Sequence, residues 1–242
     1  SGTFNAASAN ASLTFSGTGA GFATTGAVTI AAGRTLTVTT GPFTYGAGTI
    51  TGTGTVALTS LTGSLTPNWT PQGALTLSSS TLNGPGALTV QSGATLTVTN
   101  STVAAPLTNQ GTVDMINTGN LTGAFTTATG STLRLSSNNG TFNVANGFTN
   151  NGLIELTSTG ASGTTLAVTS GTLVNSASGT ISTVVGSGGN RFLTAPLNNQ
   201  GTITLGTGLY LDAVGAAHVN SGTLNVGPGA LTVTGATGFA NS

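Results

Sequence analysis

Six side chains carry all the formal charge of this 242-residue chain: Arg34, Asp114, Arg134, Glu155, Arg191 and Asp212. Two carboxylates near one another are the commonest equipment for general acid–base hydrolysis of sugars, so Asp114 and Glu155 are the first residues to weigh. Between them stands Arg134, 20 residues after Asp114 and 21 before Glu155. A guanidinium between two acids keeps both ionised, which removes the protonated partner such a reaction needs. The same spacing instead predicts a ladder of alternating charge, one residue per structural repeat. Arg191 and Asp212 each precede a glycine, Gly201 and Gly222, by ten residues, so they are expected to stack as a second pair.

The remaining chemistry-bearing residues are few. There is one histidine and no cysteine, which leaves no ligand set for zinc. His218 occupies an apolar place in its motif and reads as a packed core residue. Trp69, within Pro67-Asn68-Trp69-Thr70-Pro71, reads as part of an exposed loop covering a coil edge. No catalytic residue, metal site or cofactor is expected.

Composition narrows the class further. Charged residues make up 2% of the chain and the net charge is zero. Nucleic acid and anionic membrane surfaces both require clustered cations, and neither is an expected partner. No apolar run approaches the length of a membrane-spanning helix. A transmembrane β-barrel would need longer strands with aromatic girdles, whereas only 5% of residues are aromatic. The chain opens on Ser1-Gly2-Thr3-Phe4, and we read it as part of a longer repeat protein.

What must position these residues is a repeat. Thr35-Leu36-Thr37-Val38-Thr39 and Thr95-Leu96-Thr97-Val98-Thr99 alternate as short strands do, and helical periodicity is absent. Strands follow glycines at 33, 54, 73, 93, 111, 130, 152, 179, 201 and 222, about 20–22 residues apart in most cases. Such a period, with strands and no helix, predicts an all-β, single right-handed parallel β-helix over residues 1–242. Roughly eleven coils at about 4.8 Å each would make a rod on the order of 50 Å long. The last apolar strand, Leu231-Thr232-Val233, lacks a polar cap, so the rod is expected to continue or to stack end to end on another copy.

A second signature, [LF]-x-N-x-G, precedes several of these glycines. It contributes Asn109, Asn150 and Asn199, with Asn220 in the variant carrying His218 and Asn175 after allowance for two inserted residues. These asparagines are expected to stack and to bond side chain to side chain along the rod. The chain here resembles the β-helical repeats of filamentous haemagglutinin-type exoproteins and autotransporter passengers. That resemblance implies a secreted or cell-surface bacterial rod, structural or adhesive, whose partners are further copies of itself or a host-surface glycan. Two features of those families are missing, the Asn-Pro-Asn-Gly secretion sequence and an Arg-Gly-Asp triplet. The chain therefore reads as shaft.

Two other functions are open to such a chain. Outward Thr-x-Thr pairs, such as Thr35/Thr37 and Thr202/Thr204, are the arrangement by which a flat β-face orders water, and ice binding is the alternative they offer. A polysaccharide-active enzyme is the other, and it would need two acids facing each other across a groove.

Overall fold

The computed structural model describes residues 2–17 and 19–242. Stacked parallel coils form a β-solenoid of about 11 turns, 56% strand and without helix among the described residues. Every strand pairing is parallel.

Each coil turns through three faces, and the strand on each face stacks on its counterpart in the next coil. The first face runs from Ala11–Thr14 through Thr35–Thr39, Thr55–Thr59 and Leu75–Ser78 to Thr202–Leu205 and Thr223–Val226. The second runs from Phe22–Ala23 and Pro42–Tyr45 to Arg191–Thr194, Leu209–Asp212 and Leu231–Thr234. The third begins at Thr3–Ala6 and ends at Leu197–Asn199, Ala217–Asn220 and Gly238–Asn241.

Alternation along each strand sorts side chains into columns. On the first face one inward column reads Leu36, Val56, Leu75, Leu96, Val113, Leu133, Ile154, Ile181, Ile203. Its neighbour reads Val38, Leu58, Leu77, Val98, Met115, Leu135, Leu156, Thr183, Leu205. Nearly all are buried. Burying such side chains is worth about 1.5–3 kcal/mol each and is possible only because a coil lies above and below.

Over six successive coils the corner between the first and second faces turns on a left-handed residue. Thr40, Ser60, Ser79, Asn100, Asn117 and Asn139 hold φ between 49° and 72°. Asparagine tolerates this region, whereas Thr and Ser enter it at a cost that the flanking ladders sustain. At the corner that follows the asparagines, glycine is required by close approach. A Cβ on Gly201 would collide with the carbonyl oxygens of Ser176 and Gly179, and one on Gly222 with that of Gly201.

Trp69 departs from the sequence expectation. It is 1% exposed and sits on the third face, bridging in parallel to Leu88. Its ring lies 5.0 Å from Tyr45 and 6.0 Å from Phe43. The prolines on either side give this short stretch the look of a loop, yet Asn68 Oδ1 accepts from the Ala87 amide and holds it in the stack.

Candidate functional sites: a charge ladder, an asparagine ladder and a caged arginine

Outward on the first face, Asp114, Arg134 and Glu155 occupy one register position on three successive coils. Strand pairing carries Arg134 directly between the two acids. The geometry is asymmetric: Arg134 Nε donates to Glu155 Oε1 at 2.8 Å, with the arginine side chain 43% exposed. Asp114 makes no ion pair within 4.0 Å among the described residues, and its Oδ1 is buried without a hydrogen-bond partner. Burial raises the Asp114 pKa, Arg134 pulls it down, and Glu155 pushes it up again. The Arg134 pKa is raised, first by its hydrogen bond to Glu155.

These shifts give a signed expectation. A carboxyl whose folded pKa lies above its unfolded value opposes folding at neutral pH, and the penalty fades as pH falls through the folded pKa. Asp114→Asn is therefore expected to be neutral or stabilising at pH 7. Glu155→Gln is expected to cost under about 1 kcal/mol, because the pair is half-exposed and screened by salt. Urea midpoints at low and high salt measure both.

The second charge pair expected from the sequence does not form. Arg191 pairs in register with Leu209 and points inward, while Asp212 pairs with Thr234 and is exposed. The reason lies in corner length. From Arg191 to Asn198 is seven positions; from Leu209 to its counterpart Val219 is ten, so the corner in Asp212's coil is three residues longer. Counting back from the glycines skipped that insertion. Asp212 instead accepts from the Thr234 hydroxyl at 3.1 Å.

Arg191 is fully buried and is held by backbone carbonyls alone. Nε donates to Leu156 O at 3.2 Å, Nη1 to Gly188 O and Gly189 O at 2.9 Å, and Nη2 to Val184 O at 2.6 Å and Val185 O at 2.7 Å. The segment 184–190 thus folds around the guanidinium, whose donors are all taken up by main-chain carbonyls. Burial pushes the guanidinium pKa below its ordinary value.

Four of the five asparagines named from the sequence form one continuous ladder, and a fifth residue joins them. Asn150 Nδ2 donates to Asn175 Oδ1 at 2.8 Å, Asn175 to Asn199 at 2.7 Å, and Asn199 to Asn220 at 2.6 Å. Asn220 in turn donates to Asn241 at 2.6 Å. Asn241 carries the same [LF]-x-N pattern as the others, in Phe239-Ala240-Asn241. Asn109 stands apart. Its column partner in the next coil is Thr127, which breaks the ladder, and Asn109 Nδ2 bonds to Thr132 O at 2.8 Å instead.

His218 is 1% exposed, in the column of Phe148, Leu173 and Leu197, and pairs in register with Phe239. Its side chain is packed as the sequence implies, with both ring nitrogens lacking a partner.

The outward rows of the first face over the earlier coils are small side chains, most of them hydroxyl-bearing. Thr37, Ala57, Thr76 and Thr97 form one column; Thr39, Thr59, Ser78 and Thr99 form the next. The first charge in the Thr37 column is Asp114. A groove of about 500 Å³ follows the adjoining corner, lined by Pro42, Ser60, Thr62, Ser79 and Thr81 among others, and no ionisable side chain faces it. Among the described residues no group of three or more His, Cys, Asp or Glu could hold a metal ion.

Comparison with family models, curated proteins and solved structures returned no match.

Proposed function

We propose that this chain is the shaft of a secreted or cell-surface protein, a stiff and chemically quiet rod that spaces or presents binding sites or builds a fibre. The observation that supports this most is how the ionisable groups are used. Arg134 is engaged by Glu155, Arg191 by carbonyls of its own coil, and His218 is sealed in the core. None faces the groove described above. Stacked coils also make length a matter of repeat number, which suits a spacer. The likeness of the [LF]-x-N-x-G strands to haemagglutinin-type exoproteins points the same way.

A spacer tolerates loss of whole coils, because each coil contacts only its neighbours. Removing residues 95–131 excises two coils in register, since Thr95, Thr112 and Thr132 are successive partners. The shortened chain is expected to fold, to lose about 10 Å of length, and to keep whatever attachment the full chain gives to glycan-coated or cell-coated surfaces. Turnover of a polysaccharide by the full chain, abolished by the deletion, would overturn the reading.

Ice binding is a second reading, favoured by the charge-free Thr panel on the coils before Asp114. A rigid sheet with hydroxyls and methyls at regular spacing can hold water in a lattice, while Thr there also has high strand propensity for plain structural reasons. Thermal hysteresis that Thr97→Lys abolishes would support it. An ice-inactive wild-type chain would end it.

A further inference from the structure

His218 is a fully buried ionisable side chain with nothing to bond. Its imidazole is 1% exposed, and neither Nδ1 nor Nε2 has a hydrogen-bond partner. A neutral imidazole in that position leaves one donor and one acceptor unsatisfied; an imidazolium would leave two donors and a charge.

No surrounding element offers compensation. The stacked strands Leu197–Asn199 and Gly238–Asn241 carry no ionisable side chain, nor do Thr202–Leu205 and Thr223–Val226. On Leu209–Asp212, Tyr210 and Asp212 alternate with the two buried leucines and point outward. The cation of the preceding coil, Arg191, is held by carbonyls at the corner between the first and second faces, and its charge has the wrong sign to help.

Opening Ala217–Asn220 and the coil stacked on it breaks the Asn199–Asn220 and Asn220–Asn241 bonds.

We propose that His218 makes its own coil and the one stacked on it an acid-labile joint: proton uptake by its imidazole requires Ala217–Asn220 and the strand paired with it to open. Opening frees the edge of the strand beneath, Leu197–Asn199, for pairing with another chain. The direction follows from linkage. Desolvation lowers the folded pKa beneath the ordinary 6.5, so the open form binds the proton first and the closed form loses stability as pH drops from that value.

His218 is the chain's only histidine, so its imidazole NMR signals are unambiguous. The titration midpoint is expected below 6.5. Amide exchange in residues 209–242, corrected for intrinsic rates, is expected to accelerate by up to tenfold per pH unit below about 6.5, with coils 95–156 unaffected. His218→Phe, which repeats the Phe148 of the same column, is expected to remove that pH dependence. A wild-type midpoint at or above 6.5 without accelerated exchange overturns the proposal, and so does an unchanged acid response in His218→Phe. Should that variant not fold, the wild-type titration and exchange decide alone.

Discussion

Asn199→Ala is expected to cost about 2–4 kcal/mol, among the largest single losses available outside the apolar columns. Asn199 is fully buried and in the middle of the ladder. It accepts from Asn175 at 2.7 Å and donates to Asn220 at 2.6 Å. Truncation leaves Asn220 Oδ1 buried without a donor. Asn175 fares better, because its Nδ2 also reaches Gly179 O and Thr202 O. Asn109→Ala supplies the comparison. Its partners are Gly111 N and Thr132 O, with no ladder neighbour to orphan, so about 1–2 kcal/mol is expected. Urea titration orders the two, and hydrogen exchange locates the damage, since a stack of repeats can lose a few coils while the others persist. Equal losses for Asn109 and Asn199 would show that the side-chain ladder contributes nothing beyond each asparagine's own turn.

Arg191→Met is expected to cost about 3 kcal/mol and to loosen the segment 184–190. Removing the cation also removes its desolvation cost, which limits the loss. The carbonyls it leaves behind decide the sign. Leu156 O belongs to a core strand, whereas those of Val184, Val185, Gly188 and Gly189 are on a corner that can turn toward water. Cleavage within 184–190 by a protease of broad specificity is therefore expected to rise more than global stability falls. Arg191→Lys should recover part of the loss, since an ammonium has three donors where the guanidinium fork has five. Asp212→Asn should change stability by no more than about 0.5 kcal/mol, and a double-mutant cycle between 191 and 212 should show no coupling. A coupling of 1 kcal/mol or more would restore the stacked pair expected from glycine spacing.

The contrast between Asp114–Arg134–Glu155 and Arg191–Asp212 shows where sequence reasoning holds in such a fold. Within one face, register is set by the strand itself, and counting from the glycine before each strand placed three charges correctly. Across a corner, the count depends on how many residues the corner holds, and one corner three residues longer moved Asp212 away from Arg191. Inward or outward parity is equally local. Arg191-Phe192-Leu193-Thr194 alternates in phase with the core, but a cation at an inward position is readable only once the carbonyls of 184–190 are seen to enclose it. The asparagine ladder was legible because a polar residue at an apolar position must bond, and neighbours at the same place in adjacent coils are the nearest partners. Its break at Thr127 was not, since Phe125-Thr126-Thr127 differs from the motif in the one residue that bonds. Prolines on both sides hide the strand position of Trp69, although its spacing of 19 residues to both Ile50 and Leu88 marks one coil on either side. Left-handed Thr40, Ser60 and Ser79 carry no sequence signal at all.

Distances between spin labels test the stacked register most directly, and the absence of cysteine makes labelling clean. Thr37, Thr97 and Thr204 lie in one outward column of the first face, three and then five coils apart. Labels on cysteines introduced pairwise at these positions are expected at about 14 Å for 37 and 97, about 24 Å for 97 and 204, and about 38 Å for 37 and 204. Additive distances of that size mean one coil per step along a straight rod. A 37–204 distance shorter than the 97–204 distance would mean that the chain folds back on itself, and the solenoid, its ladders and the shaft they build would all be contradicted.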